Sequence, residues 1–529
     1  MEGPSVSIGL DFGTTYSGLP GLLQESMRMN NSKVPTTVSY ENREFQWGYQ
    51  TGLSGDTIRG VKLLLDESQE SRYSPALASK KILKRLDKDA VEVSGEYLRK
   101  LVSNVKEVLK RRFGEAFGSM EMRFILTVPA VWSDKAKDAT WKAAVRAGIS
   151  ASDISLVSEP EAAALYCLRK IEPNSVTSRD VIIDLISYRL KSVEPLNLEE
   201  VTAGDRGICG SMLLDERFEE LLEQLFGQTA YMTMPQKTRE VAMKYWQDHV
   251  KPRYVGRLED DGFSDVDYFV PIPGASDNPD IDLEGGFLQL SRAQVEGIFD
   301  PIVHEIERLV QSQVEQISAV GFSLRGFGAS EYLFRRLKNA YPTIDVMQPP
   351  NAWSAVVRGA VIRGLDGNQV ESRRARRHYG VSCYKRYEAE HHNKNEARWD
   401  PIEEDWFVDD RMRWYVRKGE SISENDPIKM SFYRVWKCKD ANKITFTETL
   451  YFCNKDRAPD VYAPDILPLC TLSVDLSDVP KKLFLKYRNS KGLEYYKINY
   501  DLTMTPTSAS IFFELEYDGI SDGTVRAKY

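Results

Sequence analysis

The sequence predicts an α/β protein that ends in a β-rich domain. Through about residue 365, stretches with the period of strands alternate with stretches with the period of helices. Beyond residue 379 the helical period largely disappears, and short runs of β-branched and aromatic residues are separated by Asp, Gly, Pro and Asn. A chain of 529 residues, 42% of them hydrophobic, has room for about three domains with packed cores.

The first element is an apolar strand that runs into a Gly-Thr-Thr turn within residues 8–18. Gly13 lets backbone N–H groups approach a phosphate, and the hydroxyls of Thr14 and Thr15 can donate further hydrogen bonds. Asp11 can hold a hydrated divalent cation through its water shell. A hairpin with these residues by chance is the alternative from this segment alone. We interpret the segment as a nucleotide-binding turn.

The next elements continue the alternation of strands and helices. Residues 96–113 repeat apolar side chains at the spacing of one helix face, and an apolar strand over 124–128 stops at a proline. Ser133 is a candidate N-cap for a helix through Arg146, and Gly148 lies where a left-handed C-terminal cap is needed. This order is typical of an α/β lobe.

Two further helices and a turn follow. Apolar residues over 218–226 mark an amphipathic helix, and Ser291 with Gln294 forms a capping-box pattern ahead of a long helix. A weak strand over 319–324 leads into the turn Arg325-Gly-Phe-Gly and a short helix from Ser330.

The C-terminal part of the chain has a different sequence pattern. The basic run 373–377 is interpreted as a linker. Runs such as 412–416, 443–452 and 510–517 have strand character and predict a β-sandwich or barrel.

Charge and cysteine usage exclude several classes of function. A net charge of −8 argues against general nucleic-acid or membrane-surface binding, because those partners require a basic surface. The six cysteines form no Cys-x-x-Cys pair, so we expect reduced structural thiols. We expect a cytoplasmic location, with the nucleus as an alternative.

Four segments, taken in order, resemble the seventy-kilodalton heat-shock chaperone family. They are 11–18, 126–132, 157–165, and 326–333 with 352–360. They are most similar to a divergent branch that is abundant in fungi. The resemblance implies an actin-like ATPase fold of two lobes with ribonuclease H-like motifs.

The resemblance also implies the domain order. Residues 1–175 would form actin-like lobe I and 176–365 lobe II. A basic linker over 366–380 would precede a β-rich C-terminal domain over 381–529, in the position of the peptide-binding domain of the family.

The family's ligands are ATP and Mg²⁺, and its functional residues map onto this sequence. Asp11 resembles the aspartate that holds the metal through water, Lys62 the lysine that reaches the γ-phosphate, and Glu159 the glutamate that orients the metal-bound water. From the residues alone, Lys62 could be a surface lysine and Glu159 a helix N-terminal acid. The nucleotide-binding set would be Gly13, Thr14, Thr15, Tyr16, Lys251, Gly326, Phe327 and Gly328. Lys251 could also be a helix-end cation.

One segment departs from the family. Its members carry a second phosphate loop, Asp-x-Gly-Gly-Gly-Thr-x-Asp, where this chain reads Arg179-Asp-Val-Ile-Ile-Asp184. Asp184 resembles the last aspartate of that motif, while the glycines, the threonine and the first aspartate are absent. Without a glycine, we expect residues 181–190 to form one strand instead of a strand, turn and strand. Either the loop was lost in evolution, or a short coding segment is missing from the translated sequence.

These observations predict a heat-shock protein 70-like chaperone that binds ATP with Mg²⁺ and hydrolyses it weakly or not at all. The alternative is a non-enzymatic scaffold, a pseudo-ATPase that keeps the fold and binds no nucleotide. A sugar kinase on the same fold is disfavoured by the β-rich C-terminal domain and the Glu159 motif. The resemblance implies extended or unfolded peptides and co-chaperones as partners of a monomer, with no nucleic acid and no membrane.

Overall fold

A computed structural model describes most of the chain. The described residues are 5–18, 33–41, 44–51, 56–66, 74–170, 181–183, 186–202, 210–256, 267–317, 324–325, 330–343, 346–348, 351–441, 443–477, 479–517 and 520–526.

The secondary structure of the described part is mixed α/β. Its α-helices are α1 (Ser74–Leu86), α2 (Ala90–Phe113), α3 (Asp134–Arg146), α4 (Glu159–Lys170), α5 (Ser211–Phe226), α6 (Gln228–Thr233), α7 (Gln236–Tyr245), α8 (Arg292–Ile317), α9 (Glu331–Ala340) and α10 (Ala355–Asp366). Its strands up to residue 347 are β1 (Ser5–Leu10), β2 (Tyr16–Gly18), β3 (Lys33–Pro35), β4 (Thr37–Glu41), β5 (Glu44–Trp47), β6 (Ile58–Arg59), β7 (Glu121–Val128), β8 (Ile154–Ser158), β9 (Val181–Ile183), β10 (Ser187–Ser192), β11 (Asn197–Glu200), β12 (Tyr268–Pro271), β13 (Leu283–Glu284), β14 (Phe287–Leu290), β15 (Leu324–Arg325) and β16 (Val346–Met347). The later strands are β17 (Val370–Arg374), β18 (His378–Arg386), β19 (Ala397–Asp400), β20 (Asp405–Val416), β21 (Ser421–Ile422), β22 (Ile428–Lys437), β23 (Thr445–Cys453), β24 (Leu467–Asp475), β25 (Leu485–Arg488), β26 (Glu494–Pro506), β27 (Ile511–Tyr517) and β28 (Ile520–Arg526).

The chain divides into two compact units. Unit 1 comprises residues 1–197 and 204–369, and unit 2 comprises 198–203 and 370–529. The division of unit 1 into two lobes near residue 175 stays a prediction, as do the other domain boundaries. The segment 366–380, interpreted above as a basic linker, contains β17 and the start of β18. Arg373 is buried there, and Arg376 pairs with Glu200 at 3.9 Å, both inside unit 2.

The N-terminal sheet of unit 1 positions the predicted phosphate turn. Strands β1, β7 and β8 are parallel in the order β1-β7-β8. Helix α2 packs its apolar face on this part of unit 1, with Tyr97, Leu98 and Leu101 fully buried. Each such leucine contributes about 2 kcal/mol of hydrophobic stabilisation. The helix predicted from residue 96 is therefore confirmed, and it begins earlier, after the N-cap Asp89.

Helix α10 crosses α4 at very short range. A Cβ atom added to Gly359 would lie 1.6 Å from the carbonyl oxygen of Ala162, so only glycine fits at this crossing. Gly359 belongs to the segment 352–360 and Ala162 to 157–165, two of the matching segments described above. Their sequence patterns thus specify a close helix contact in unit 1.

An aromatic cluster holds the helices in the second half of unit 1. Phe218 of α5 stacks on Trp246 with ring centroids 4.7 Å apart. Tyr254 packs on Phe299 of α8 at 4.5 Å and on Tyr332 of α9 at 4.8 Å. The capping box predicted at the start of α8 is present, because the Ser291 N–H donates to Gln294 Oε1 at 2.7 Å.

Unit 2 is β-rich. One sheet has the order β19-β20-β18-β23-β24, and the second has the order β22-β26-β27-β28 with β25 on β26. Strand β27 alternates buried and half-buried residues along its length, and its buried face joins a core that includes side chains from both sheets. Of the predicted sandwich or barrel, this arrangement is the sandwich.

No helix of the described part is both long enough and apolar enough to cross a lipid bilayer.

Candidate functional site

The Gly-Thr-Thr segment forms a tight turn between β1 and β2. The Gly18 N–H donates to the Asp11 carbonyl at 2.8 Å and closes the turn, while the Thr36 N–H donates to the Thr15 carbonyl at 2.9 Å. A Cβ atom on Gly13 would lie 2.1 Å from the carbonyl oxygen of Tyr16. The turn therefore requires glycine at this position.

Asp11 lies at the C-terminal end of β1, where the neighbouring parallel strand supplies a donor. The Thr127 hydroxyl of β7 donates to Asp11 Oδ1 at 3.0 Å. Burial raises the pKa of the Asp11 carboxyl, and the nearby Glu159 carboxylate raises it further, while Lys62, Thr127 and Lys33 act in the opposite direction. Asp11 is thus an acidic group close to charges of both signs.

Lys62 and Glu159 form an ion pair. The Lys62 Nζ atom donates to Glu159 Oε1 at 2.7 Å and lies 5.4 Å from the centre of the Trp132 ring. Lys62 belongs to the 3-10 turn Val61–Leu65, and Glu159 is the first residue of α4, directly after β8. The structure therefore brings the three predicted catalytic residues, Asp11, Lys62 and Glu159, into one electrostatic cluster.

Three residues of the predicted turn line a cleft of about 480 Å³ in unit 1. Thr14, Thr15 and Tyr16 contribute to its lining, together with residues of α5, α6 and α7. Arg59 and Glu240, which also line it, approach to 3.6 Å. The lining residues from the helical side include Asp215, Glu219, Leu222, Tyr231, Arg239, Met243 and Gln247.

The Tyr16 phenol is a hydrogen-bond donor in this cleft. Burial raises its pKa to about 12, and the carboxylates of Asp248 and Asp215 contribute to the rise. The hydroxyl is therefore protonated at neutral pH and lies close to acids on the helical side.

Lys251 lies beside the cleft and is paired with Asp215, a residue that no sequence motif marks. The Lys251 Nζ atom donates to Asp215 Oδ1 at 2.7 Å and to the Ser211 carbonyl at 3.0 Å. Asp215 also accepts from Trp246 Nε1 and Gln247 Nε2, each at 2.9 Å. Its only signal in the sequence is a charged residue two positions after Leu213 and three before Phe218 on an amphipathic helix.

The turn predicted to face the nucleoside lies outside the described residues. This applies to the predicted binding residues Gly326, Phe327 and Gly328. Their described neighbours are β15, which is parallel to β16, and α9, whose N-cap Ser330 accepts from the Leu333 N–H at 3.3 Å.

The segment 181–190 does not form one strand, so that expectation is wrong. Strands β9 and β10 are antiparallel, with Ile183 opposite Ser187 and Val181 opposite Arg189. Three residues connect them, of which Asp184 and Leu185 lie outside the described part. A three-residue connection does not depend on glycine as strictly as the shortest hairpin turns do. Strands β9 and β10 therefore pair although the glycine-rich loop of the family is absent between them.

Among the described residues there is no group of three or more His, Cys, Asp or Glu side chains with the spacing of a metal site. Asp11, with its Thr127 partner, is the predicted metal residue, and a carboxylate that orients metal-bound water suits a hydrated Mg²⁺ ion. The residues present therefore fit an ion held through its water shell.

The chain is similar to several proteins that are named as heat-shock proteins or chaperones. Heat shock 70 kDa protein 12A of Homo sapiens is 21% identical over an alignment of 601 positions, which covers 89% of this chain and 85% of that protein. Chaperone protein DnaK of Mycoplasmoides gallisepticum is 24% identical, over 68% of this chain and 60% of that protein. A Chaperone protein HscA homolog of Vibrio vulnificus is 34% identical over 43% of this chain and 38% of that protein.

A family model also matches part of unit 2. It is described as a Domain of unknown function (DUF8568) and covers residues 373–454. This range runs from within β17 to the end of β23 and includes the central strands of the first sheet.

Proposed function

We propose that this chain, which is similar to seventy-kilodalton heat-shock proteins along most of its length, is a chaperone-like protein that binds ATP together with Mg²⁺. The observation that carries the proposal is the position of Thr14, Thr15 and Tyr16 in the lining of a cleft of about 480 Å³. Small-molecule sites commonly have volumes of this order.

The phosphates would bind at the turn. Backbone N–H groups around Gly13 and the hydroxyls of Thr14 and Thr15 would donate hydrogen bonds to phosphate oxygens. The protonated Tyr16 phenol would add a donor from the same side of the cleft. The nucleoside would extend toward Lys251 and the turn of Gly326, Phe327 and Gly328, in the arrangement of the family.

Asp11 would hold the metal ion through water. Thr127 fixes the orientation of the carboxylate by a hydrogen bond to Oδ1. When bound, Mg²⁺ would neutralise charge on the phosphates. Lys62 would reach the terminal phosphate, which would compete with Glu159 for the Lys62 ammonium group. Glu159 would orient an attacking water.

Hydrolysis would be slow or absent. The family places an aspartate and a threonine of its second phosphate loop beside the transferred phosphate, and phosphoryl transfer depends mainly on such positioning and on electrostatics. Only three residues lie between Ile183 and Ser187 in this chain, which leaves no room for that loop. ATP binding depends less on this aspartate and threonine than ATP hydrolysis does.

A scaffold that binds no nucleotide is the second candidate. It is favoured by the two lysines predicted to contact ATP, since Lys62 and Lys251 are already paired with Glu159 and Asp215 at 2.7 Å each. The phosphates or the nucleoside of ATP would have to bind these two ammonium groups more tightly than the carboxylates do.

Unit 2 would supply the partner-binding function. Its β-rich fold follows the ATPase-like unit in the chain, in the order of the family's peptide-binding domain. We propose that it binds extended or unfolded peptides, and that co-chaperones act on a monomeric protein.

Thermal unfolding of the full chain tests nucleotide binding. ATP with Mg²⁺ should raise the melting temperature, because a ligand that binds only the folded state stabilises it by mass action. The double variant Thr14→Ala/Thr15→Ala should lose most of this rise, whereas Thr445→Ala, an exposed strand threonine in unit 2, should keep it. Equal melting temperatures with and without ATP in the native chain would favour the scaffold.

A further inference from the structure

We propose that Trp399 and Trp406 of unit 2 form a docking surface for an extended peptide segment that carries lysine or arginine. The inference rests on the proposed peptide-binding function of unit 2, and it adds the chemical class of the segment and the side chains that contact it. The two residues are called the tryptophan pair below.

The tryptophan pair lies at the end of the hairpin formed by β19 and β20. Trp399 and Trp406 are directly paired across these antiparallel strands, and their ring centroids are 5.5 Å apart with an angle of 67° between the ring planes. Directly paired residues project to the same face of a sheet, and each of these residues is 47% exposed. In contrast, Trp246 and Trp414 are at most 8% exposed. The pair is therefore a feature of the surface and not of a core.

The residues that alternate with the pair face the other way. Arg398 is paired with Phe407 at the next position of the register, and Phe407 is 1% exposed. The Phe407 ring packs edge to face on Tyr384 at 5.3 Å, and Tyr384 contacts Tyr433 of the second sheet at 6.0 Å. Because successive residues of a strand point to opposite faces, the tryptophan pair projects away from the second sheet. The strand register thus holds both indole rings in solvent.

Strand β19 is also an edge strand. It is the first strand in the order β19-β20-β18-β23-β24, and no described strand pairs with its outer side. The backbone N–H and C=O groups of an edge strand can pair with an added extended segment. A peptide that adds to β19 would place every second side chain on the face that carries Trp399.

The hairpin carries an excess of negative charge. Residues 398–410 contain six acidic residues and one basic residue, Arg398. The acidic residues are Asp400, Glu403, Glu404, Asp405, Asp409 and Asp410. Arg398 pairs with Asp409 at 2.6 Å and with Asp400 at 3.4 Å, so one cation serves two of these acids.

Two acids of the loop between β19 and β20 have uncharged hydrogen-bond donors. Glu403 accepts from the Tyr433 hydroxyl at 3.1 Å, and Glu404 accepts from the Ser490 N–H at 2.9 Å. These contacts orient the carboxylates and leave their negative charge in place. A surface with such an excess attracts cationic segments and repels anionic ones.

An extended segment with lysine or arginine matches both the rings and the charge. The face of an indole ring attracts cations more strongly than other aromatic side chains do, and tryptophan is frequent among the residues that dominate binding at protein interfaces. The alkyl stem of a lysine can pack on the rings while its ammonium group stays in water near the carboxylates. A neutral segment would gain the apolar contact alone. A second copy of this chain would bring two acidic hairpins together, which like charges oppose.

Fluorescence anisotropy with labelled peptides and the full chain tests this surface. The probe is a short peptide in which lysine and threonine alternate, and its control carries norleucine in place of each lysine, which keeps the alkyl stem and removes the charge. The native chain should bind the lysine peptide about tenfold more tightly than the norleucine peptide at low salt. This preference should shrink at high salt, because exposed charges are screened.

Three double variants identify the side chains. Trp399→Ala/Trp406→Ala should bind the lysine peptide about tenfold more weakly than the native chain does. Trp399→Phe/Trp406→Phe, which keeps two rings with a weaker attraction for cations, should have an intermediate affinity. Phe269→Ala/Phe287→Ala removes two aromatic residues of unit 1 that are 52% and 50% exposed, and as the matched control it should bind like the native chain. Circular dichroism checks that each variant folds.

A fourth variant, Glu403→Gln/Glu404→Gln, keeps the tryptophan pair and tests the charges. It should bind the lysine peptide about threefold more weakly and the norleucine peptide as the native chain does. If the alanine variant of the tryptophan pair does not fold, the phenylalanine and glutamine variants decide.

The inference is overturned if the alanine variant binds the lysine peptide as tightly as the native chain, or if the native chain prefers the norleucine peptide. Self-association of the native chain that is lost in the alanine variant would make a second copy the occupant and would also overturn it. Equal binding of both peptides in all variants would leave peptide binding by unit 2 standing, and only the inference would fail. If the native chain binds neither peptide, the inference fails together with the proposed peptide binding.

Discussion

Lys62 Nζ lies 2.7 Å from Glu159 Oε1 although the two residues are 97 positions apart in the chain. The lysine side chain is only 3% exposed, whereas Glu159 is 32% exposed. The pair joins the 3-10 turn before α1 to the N-terminus of α4, so the cation is fixed before any ligand arrives. A phosphate group that is to bind Lys62 therefore has to compete with the Glu159 carboxylate.

Removing the acid of this pair should destabilise the fold. In Glu159→Gln the buried Lys62 ammonium exchanges its hydrogen-bonded carboxylate for a neutral amide, and we expect the free energy of unfolding to fall by about 2 kcal/mol. Urea unfolding measures this change. Glu305→Gln, which breaks an exposed pair with Arg308 on α8, should cost less than about 0.5 kcal/mol. Equal losses in the two variants would mean that burial of Lys62 does not matter.

Gly13→Ala should disrupt the phosphate turn. The added Cβ would lie 2.1 Å from the Tyr16 carbonyl oxygen, so the backbone of the turn has to move. We expect the stabilisation by ATP to disappear in thermal melts while most of the fold survives. Gly118→Ala, where an added Cβ has no neighbour within 4 Å, should respond to ATP like the native chain. A normal ATP response of Gly13→Ala would exclude this turn as the phosphate site.

The pH dependence of stability should reveal the environment of Asp11. Because burial and Glu159 raise its pKa above the ordinary value of 3.8, the folded state holds this proton more tightly than the unfolded state does. Ionised Asp11 therefore lowers stability, and its cost appears as the pH rises from the ordinary pKa through the folded-state pKa. Asp11→Asn should be more stable than the native chain at neutral pH in EDTA, with a smaller difference near pH 4. Chemical unfolding at several pH values measures this, and a difference that grows toward acid pH would contradict it.

Local sequence signals predicted the elements that depend on neighbouring residues. The N-cap Ser133 accepts from the Ala136 N–H at 3.1 Å, and Gly148 has a positive φ of 90° after α3. The capping box at Ser291 and Gln294 is likewise present. Each of these is a contact within one turn of chain, which sequence spacing specifies directly.

Contacts between distant residues were not predictable in the same way. The pairing of Lys251 with Asp215 joins residues 36 positions apart and depends on how α5 packs against the turn after α7. The hairpin of β9 and β10 does not follow from the local turn signal, because Ile183 pairs with Ser187 and Val181 with Arg189 without a glycine in the connection. Pairing between strands decides this element, and it is not specified by the residues of the turn.

The short connection between β9 and β10 should limit catalysis. Inserting an Asp-x-Gly-Gly-Gly-Thr-x segment before Asp184 would lengthen the connection between β9 and β10 and return the aspartate and threonine that the family uses to position water and metal. We expect the native chain to hydrolyse ATP very slowly and the restored chain to do so about a hundredfold faster or more, since lost transition-state positioning costs this much. Single-turnover ATPase assays measure both rates. A restored chain with its first inserted aspartate changed to asparagine is the matched control, and it should remain slow because the glycines alone do not orient the attacking water. If the native chain already turns over at the rate of the restored chain, the missing loop has no catalytic role.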